Sequence, residues 1–300
     1  MSLIKSFKII FSAIHKHPLA CKHKGKAYYN LIKWQVSQLI FPGIKKVPFI
    51  SGTHLLAKKS MTGATGNIYF GLHEFEEMGF LLHFLRNEDM FIDIGANVGS
   101  YTILASGVCG ANSMSFEPVT ETFNHLKNNI VLNSIDGLVS LFNEAVGAEE
   151  GKLIFTSGLD TVNHVVANDE TNANQTTEVK VNTLDSKLFS NTSNLLIKID
   201  AEGFETAVLE GMDNTLQNEN LKAIIIELNG LGLRYGYKDE DIHKKLTAHH
   251  FLPFTYDPLN RKLHILSKFT ATNTIYIRDI KLVEKRIKSA NKISIFSEKF

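Results

Sequence analysis

The sequence predicts an α/β domain with a mostly parallel, doubly wound sheet. Residues 90–106 have the pattern of a buried strand, a turn with two glycines and the start of a helix. Strand-like apolar runs then alternate with helical patterns as far as residue 227. Several of these runs end in an acidic residue, and ligands of open α/β sheets bind beyond the carboxyl ends of the strands. Together these features predict a ligand crevice at one edge of the sheet.

The turn after the strand at 90–94 is predicted to hold a cofactor. Asp93 lies near the end of that strand, and Gly95 and Gly99 let the backbone approach a ligand closely. Asn97 stands where a dinucleotide fingerprint needs a second glycine to admit a pyrophosphate. S-adenosylmethionine, which carries no phosphate, fits better, because Asp93 can balance its ammonium and amides at the helix start can bind its carboxylate. Ala96 belongs to the same predicted cofactor-binding turn.

The next two strands are predicted to supply contacts to the nucleoside. Residues 113–116 form a short apolar run, and Glu117 follows it about 20 residues after the glycine turn, where an acid is suited to bind two ribose hydroxyls. A third strand, predicted over 139–146, carries Asn143 and Glu144 near its end, where their side chains could meet an adenine edge. The alternative for Glu144 is a solvated strand end.

The segment 195–212 carries the first candidates for catalysis. Its apolar strand leads directly to Asp200 and Glu202, and a fifth strand at 223–227 again ends in an acid. The carboxyl ends of parallel strands meet at one edge of a sheet. The sequence therefore predicts that four strand-end acids converge in one crevice: Asp93, Glu117, Glu144 and Asp200.

Helical spacing predicts two helices beside these strands. The helix over 74–85 is expected to bury Phe75, Met78, Leu81, Leu82 and Leu85, and the helix over 119–133 is expected to bury Phe123, Leu126, Ile130 and Val131. A glycine-rich segment, 63–71, leads into the first helix.

The remaining patterns predict edge strands and an insertion. Short strands at 152–155 and 178–182 flank a polar insertion, 156–177, that is expected to be a mobile loop or a substrate lid. Strands at 254–256, 263–266 and 274–277 close the sheet.

Six segments form a joint pattern that resembles the FkbM-type S-adenosylmethionine-dependent methyltransferases. They are FIDIGANVGSYT (91–102), FEPVTETFNHLKNNIVLN (116–133), NEAVG (143–147), VNTLDS (181–186), IKIDAEGFETAVLEGM (197–212) and TIYIRD (274–279). The resemblance implies a class I methyltransferase fold with a seven-stranded, mostly parallel sheet, an antiparallel last strand and helices on both faces. It also implies O-methylation, often of sugar-containing or secondary-metabolite acceptors, so the expected partner is a small-molecule or glycan acceptor. The family's cofactor role falls on the matching residues Asp93, Gly95, Asn97, Gly99 and Glu117.

Methyl transfer to a hydroxyl requires a base, because a sugar hydroxyl is very weakly acidic. The candidates are Asp200, Glu202, His73 and His164, and Asp200 is preferred because its strand end should face the transferred methyl group. Asp200 is also predicted to contact the cofactor. A surface position at a helix start is the alternative for His73.

The acceptor pocket is predicted beside these bases. Tyr69, His73 and Glu74 border it on one side, and Asn163 and His164 lie on the other. Asp200, Glu202 and Glu227 are hard oxygen ligands that could meet over the pocket and hold a divalent metal. Carboxylates at strand ends more often bind a ligand or loop amides, and no spacing of histidines or cysteines fixes a zinc site, so no metal is predicted.

Charge divides the chain into three predicted parts: a basic N-terminal extension at 1–65, a methyltransferase domain at 66–280 and a basic tail at 281–300, expected to be a solvated or swapped helix. The first 60 residues contain eleven lysines and no acid. Apolar residues at helical spacing over 3–14 suggest a helix on an anionic membrane surface. The alternatives are packing on the same domain or on a second subunit in a homo-oligomer. Nucleic acid is not expected as a partner, because the body of the chain is acidic.

The remaining observations concern location and rival functions. Cys21 and Cys109 have no metal or redox spacing, no apolar run is long enough to span a membrane and no signal peptide is predicted. The expected location is therefore the cytoplasm, with peripheral contact at the inner face of the membrane. A nicotinamide-dependent oxidoreductase is disfavoured by Asn97. A non-catalytic cofactor-binding module is disfavoured by the presence of Asp93, Gly95 and Glu117 together.

Overall fold

A computed structural model describes residues 3–59, 61–156, 163–167, 175–188 and 193–300, with side chains from residue 9 onward within these ranges. The strands of this part of the chain are β1 (Lys45–Pro48), β2 (His54–Ala57), β3 (Met90–Ile94), β4 (Asn112–Phe116), β5 (Val139–Phe142), β6 (Ala145–Val146), β7 (Gly151–Thr156), β8 (Thr176–Asn182), β9 (Leu195–Ile199), β10 (Leu221–Glu227), β11 (Leu252–Asp257), β12 (Lys262–Ile265), β13 (Asn273–Ile277), β14 (Ser294–Ile295) and β15 (Glu298–Lys299).

The α-helices of the same ranges are α1 (Leu3–Lys16), α2 (Lys24–Ile40), α3 (Thr62–Phe70), α4 (Phe75–Phe84), α5 (Ser100–Thr102), α6 (Thr120–Leu132), α7 (Glu205–Glu210), α8 (Asp213–Gln217), α9 (Asp239–Ala248) and α10 (Ile280–Ser289). Helix α5 continues directly into a π-helical segment, Ile103–Val108, and a 3₁₀ helix spans Leu231–Tyr235.

The central sheet has the strand order β12-β11-β13-β10-β9-β3-β4-β5. Strands β10, β9, β3, β4 and β5 pair in parallel, and β13 is antiparallel to both β10 and β11. This is the class I methyltransferase fold, with the expected reversed strand. The sheet has eight strands rather than the predicted seven, because β11 turns back into β12 at the edge. Asp257 stabilises that turn by accepting hydrogen bonds from the amides of Leu259 and Asn260.

Alternating side chains of the strands bury both faces of the sheet. On one face, Ala223 and Ile225 of β10 pack in a cluster with α4, α10 and the π-helical segment. On the other face, Ile224 and Ile226 pack in a cluster with α7, α8 and α9. Helices thus cover both faces of the sheet, so a ligand can reach the sheet at the ends of its parallel strands.

The predicted helix contacts are confirmed with one exception. All five apolar residues expected inward from 74–85 are buried. In α6, Leu126 and Ile130 are buried and Phe123 is half-buried, but Val131 is 60% exposed, so its predicted burial is wrong. The inward face of α6 follows the spacing from Leu126 to Ile130, and Val131 lies one residue past it.

Two predicted segments have a different structure. The glycine-rich segment 63–71 is largely helical, as α3, and Gly66 lies against the ring of His73, where a Cβ would come within 2.3 Å of Nδ1. The single strand predicted at 139–146 is two strands in different sheets, since β5 pairs with β4 and β6 pairs with β8. Asn143, at the break, donates to the carbonyls of Glu117 and Pro118 and so leaves the strand ladder.

Both terminal segments pack against the domain. Ile14 of α1 is fully buried in a cluster with α2 and α3, whereas Phe11 is 55% exposed. The side chains predicted as a stripe at 3, 4 and 7 lie outside the described residues. In the tail, Val283 and Ile287 of α10 and the terminal Phe300 are buried in the main core, so this tail is not a solvated helix.

The polar insertion is described only at 163–167 and at its two ends. The two predicted strands are present as β7 and β8, which pair antiparallel, and Val165 bridges to Phe155. The segments 157–162 and 168–174, which contain most of the predicted lid, lie outside the described residues. Within the described part of the chain, no helix is long and apolar enough to cross a membrane.

Candidate active site

Two adjoining clefts open at the carboxyl ends of the parallel strands. The first cleft has about 640 Å³ of empty space and lies over β4 and β6; its lining includes Phe116, Glu117, Pro118, Thr122, Glu144, Ala145, Val146, Phe155, Asn163 and Phe204. The second cleft has about 750 Å³ and lies between α3 and β9; its lining includes Thr62, Asn67, His73, Glu74, Asp93, Ala96, Tyr101 and Lys198. Gly95, Asn97, Asp200 and Glu202 line both clefts. A ligand that extends from one cleft into the other must therefore pass these four residues.

The glycine turn forms the floor where the two clefts meet. Gly95 has φ 77°, and a Cβ there would lie 1.8 Å from the carbonyl oxygen of Asp200, so only glycine fits. The amides of Gly95 and Ala96 donate to the carbonyl of Phe116 at 3.0 and 2.9 Å. Gly99 has another role, since its missing Cβ makes room for Leu126 of α6 rather than for a ligand.

Glu117 is held in the first cleft by the backbone. Its two carboxylate oxygens accept hydrogen bonds from the amides of Asn97 and Val119, both at 3.0 Å. Burial raises the pKa of Glu117 to about 7, although these two amides lower it. The carboxylate is thus fixed beside Asn97, which has φ 53°, and its lone pairs not used by amides are available to hydroxyl donors.

Asp93 lies in the second cleft and is almost fully buried. Its Oδ2 accepts a hydrogen bond of 2.6 Å from Thr102 Oγ1, which also lies 2.8 Å from Ser115 Oγ. Burial raises the pKa of Asp93 to about 6, while the charge of Lys198 lowers it. An ammonium group in this cleft would stabilise the ionised form.

Lys198 and Asp200 form an ion pair across the end of β9. Lys198 Nζ lies 2.8 Å from Asp200 Oδ2, and the lysine side chain is only 4% exposed. Burial lowers the pKa of Lys198, but Asp200, Glu74 and Asp93 together raise it above its ordinary value. Lys198 Nζ also lies 4.8 Å from the centre of the Tyr101 ring. The lysine is therefore a fixed positive charge among carboxylates.

Glu202 and Glu227 are the acids beside this pair. Burial, followed by the charge of Asp200, raises the pKa of Glu202 to about 7 and that of Glu227 to about 8. Glu202 has φ 51° and lines both clefts. Its loop is held by Glu205, whose Oε1 accepts from the amides of Ala201 and Gly203. Glu202 is thus a positioned acid that accepts a proton near neutral pH.

The side of the second cleft formed by α3 contains His73. Burial lowers the pKa of His73, so the ring is neutral at pH 7, and its backbone amide donates to Asn67 Oδ1 at 2.7 Å. Glu74 lines the same cleft and accepts from Asn273. Tyr69, the third residue predicted here, is not among the lining residues; its hydroxyl accepts from Gln35.

The remaining predicted residues lie at or beyond the rim of the first cleft. Glu144 lines this cleft and is bound by Asn182 at 2.5 Å and Lys187 at 2.7 Å. Asn163 also lines it, whereas neither Asn143 nor His164 does. The amide of His164 donates to Thr156 Oγ1 and closes the end of β7.

Sequence reasoning missed Lys198 and Glu205. A lysine inside the apolar run LLIKI is a signal, since a charge on a buried strand requires a partner. Glu205 gives no comparable signal in the sequence. Its role is to accept hydrogen bonds from the amides of Ala201 and Gly203, and these contacts form only when the loop folds back. Among the described residues, no group of three or more histidines, cysteines or acids is arranged to hold a metal ion.

A protein-family model matches the part of the chain that contains this site. The family model for the methyltransferase FkbM domain covers residues 93–253, more than half of the chain, from Asp93 past Glu227.

Individual relatives are more distant. Among curated proteins, the chain is similar to the hexuronic acid methyltransferase AglP of Haloferax volcanii, with 25% identity over 179 residues; the match spans 56% of this chain and 65% of AglP. Among solved structures, it is similar to an rRNA methylase of Streptococcus thermophilus, with 13% identity, a TM-score of 0.38 and coverage of 67% of this chain and 93% of that one. TrmK of M. capricolum, in complex with S-adenosylhomocysteine, has 11% identity, a TM-score of 0.36 and 68% coverage of both chains.

Proposed function

Since this chain belongs to the FkbM methyltransferase family, an S-adenosylmethionine-dependent group, we propose that it transfers the methyl group to a hydroxyl of a sugar or a related small molecule. The observation that carries this proposal is the junction of the two clefts, where Gly95, Asn97, Asp200 and Glu202 line both. In this proposal the nucleoside of the cofactor occupies the first cleft, its amino-acid end crosses the junction toward Asp93, and the acceptor enters the rest of the second cleft.

The residues of the first cleft and the glycine turn suit the cofactor. Glu117 binds the ribose hydroxyls, Glu144 lies at the adenine end, and Asp93 balances the ammonium across the turn. Asn143 has no cofactor contact in this proposal, because its side chain donates to the carbonyls of Glu117 and Pro118. Gly95, Ala96, Asn97 and Gly99 shape the backbone of the turn, and Gly95 lets the carbonyl of Asp200 approach it closely. When bound, S-adenosylmethionine supplies an activated methyl group on a positively charged sulfur.

The acidity of the second cleft favours a neutral acceptor group. Glu74, Asp93, Asp200 and Glu202 line it, against the single cation Lys198 and a neutral His73. A hydroxyl enters such a site without a charge penalty, whereas a carboxylate acceptor is repelled. A hydroxyl must also lose its proton during the transfer, and this cleft holds groups that accept one.

In this proposal Asp200 and Glu202 have different roles in catalysis. The ion pair with Lys198 holds Asp200 in place at the junction of the clefts, so Asp200 orients the acceptor hydroxyl. Glu202, with its pKa raised to about 7, takes the proton, because a base is most effective near the working pH. His73 is the next candidate because it lines the same cleft, whereas His164 lines neither cleft.

Methylation of a carboxylate is the second candidate, because the relative AglP acts on a hexuronic acid, which carries both hydroxyls and a carboxylate. The two products differ chemically, since a methyl ester is cleaved by mild alkali and a methyl ether is not. The test incubates the full chain with methyl-labelled S-adenosylmethionine and a panel of sugars and uronic acids, and then treats the product with alkali. Retained label supports hydroxyl methylation, and released methanol supports the ester.

Two further measurements test the cofactor and the need for a metal. Titration calorimetry should show binding of S-adenosylhomocysteine, with strong loss in Asp93→Ala and Glu117→Ala, and turnover should persist in a metal chelator. Binding of NADH without binding of S-adenosylhomocysteine would contradict the proposal.

A further inference from the structure

A basic groove lies beside the second cleft and has no role in the chemistry above. It contains about 1240 Å³ of empty space between α2, β1, α3 and the segment from β14 to Phe296. The residues that line it include four lysines, Lys26, Lys33, Lys45 and Lys46, together with Asn30, Trp34, Asn67 and Ser294. None of the described residues that line it is acidic.

The four lysines of this basic groove are not neutralised by the domain. The described residues give none of them an ion pair with a carboxylate, although other lysines of the chain have such partners. Three of the lysines lie instead over an aromatic ring. The Nζ atoms of Lys26 and Lys33 are 5.5 and 5.9 Å from the centre of the Tyr29 ring, and Nζ of Lys45 is 5.6 Å from the centre of the Phe41 ring. Four cations without a counter-charge make a favourable site for an anion.

Trp34 supplies a second and independent observation. Its side chain lines the groove and is only 4% exposed, and its Nε1–H has no hydrogen-bond partner among the described residues. A buried donor without a partner costs free energy, and such groups in native proteins usually have a partner such as a ligand or a water molecule. Trp34 thus leaves one hydrogen-bond donor without a partner in the wall of the groove that the lysines line.

Asn67 connects the basic groove to the second cleft. It lines both, with its Oδ1 bound to the amide of His73 and its Nδ2 donating to Ser100 Oγ at 3.1 Å. A molecule with an anion in the groove can therefore extend past Asn67 toward Asp200. Sugars are commonly carried on phosphate or diphosphate groups, and this arrangement would place the phosphate on the lysines and the sugar in the cleft.

We infer that the basic groove binds the phosphate or diphosphate that carries the acceptor sugar, an inference that rests on the proposed sugar acceptor. Two sources share this chemistry. One is a soluble nucleoside-diphosphate sugar, and the other is a lipid-linked phosphate whose chain would lie on the exposed apolar face of α2, formed by Tyr29, Ile32, Val36, Leu39 and Ile40.

The test measures binding of inorganic pyrophosphate to the full chain by calorimetry, without any methyl transfer. The groove variant is Lys33→Gln, Lys45→Gln and Lys46→Gln together, and the matched control is Lys127→Gln, Lys238→Gln and Lys262→Gln, three exposed lysines outside the groove. We expect the groove variant to lose affinity on the order of tenfold or more, since charge-assisted contacts are the strong ones. The control variant should bind like the wild type.

Trp34 reports the location of the bound anion, because it is the only tryptophan in the chain. Pyrophosphate should change its fluorescence in a saturable way, and higher salt should weaken the effect. All variants should keep their affinity for S-adenosylhomocysteine, which shows an intact fold and separates this test from failure of the proposed function. Equal pyrophosphate affinity of the groove and control variants overturns the inference.

Two further titrations distinguish the sources. A uridine-diphosphate sugar and a polyprenyl phosphate in micelles are each compared between the wild type and the groove variant, and the source is the one whose binding the variant loses. Vesicles of equimolar phosphatidylglycerol and phosphatidylcholine form the last arm. Binding to these vesicles that pyrophosphate does not reduce contradicts a phosphate site and assigns the lysines to a membrane surface.

Discussion

Lys198 Nζ lies 2.8 Å from Asp200 Oδ2, and this ion pair joins the sheet core to the junction of the two clefts. The lysine is buried on β9, whereas Asp200 is partly exposed in both clefts. The pairing register of β9 with β3 also places Lys198 beside Asp93. One buried cation thus balances two acids that belong to different parts of the predicted site.

Replacing this lysine should destabilise the protein. Lys198→Met leaves Asp93 and Asp200 without their common partner, and removing one member of a buried pair costs about 3 kcal/mol. Urea unfolding measures this loss. The control is Lys152→Met, which breaks an exposed pair with Glu178 and should change little. Equal stability of the two variants would show that the Lys198 pair contributes no more than a surface contact.

Gly95→Ala should abolish cofactor binding, because the added Cβ would come within 1.8 Å of the Asp200 carbonyl oxygen. Gly230→Ala is the matched control, since Gly230 has nearly the same φ, 79°, but no atom within 4 Å of the added Cβ. The control should lose only about 1 kcal/mol from backbone strain. Calorimetry with S-adenosylhomocysteine measures both variants. Retained binding in Gly95→Ala would mean that the turn is not the cofactor floor.

The affinity for S-adenosylhomocysteine should rise with pH through neutrality. Burial raises the pKa of Glu117 to about 7, so the carboxylate that accepts ribose hydroxyls forms only as the pH passes that value. Calorimetry at about pH 6 and about pH 8 should show tighter binding at the higher pH, since one charged state dominates on each side of the pKa.

Glu117→Gln tests the origin of this pH dependence. The variant should bind more weakly and lose most of the dependence, whereas Glu121→Gln on the exposed surface of α6 should keep it. Asp93, with its pKa raised to about 6, accounts for what remains at lower pH. A full pH dependence in Glu117→Gln would exclude the glutamate as its source.

Glu202→Gln and Asp200→Asn should both retain the cofactor and lose turnover, but with different pH profiles. Glu202→Gln removes the base, so kcat should fall on the order of a hundredfold, and the rise of kcat with pH near pH 7 should disappear. Asp200→Asn should lower kcat but keep the rise of kcat near pH 7, because Asp200 orients the acceptor and does not take its proton. The measurement is kcat against pH with a methylated sugar as product. Undiminished turnover in both variants would move the base to His73, which lines the same cleft.

The sequence by itself determined four central strands, the glycine turn and the order of the acids. Short apolar runs identified β3, β4, β9 and β10, since buried parallel strands are almost continuously apolar. The motif at 91–102 and the acid at Glu117 identified the cofactor class, and the family comparison confirmed it. These features are local, so they are visible in a linear chain.

The tertiary structure alone decided which residues meet. Register placed Lys198 beside Asp93, and the return of α3 onto the sheet placed His73 and Asn67 against the second cleft. It also separated Asn143 and His164 from the clefts, because the hydrogen bonds of Asn143 and of the His164 backbone join them to neighbouring segments. Contacts between residues far apart in the chain depend on packing and pairing geometry, which no local pattern contains.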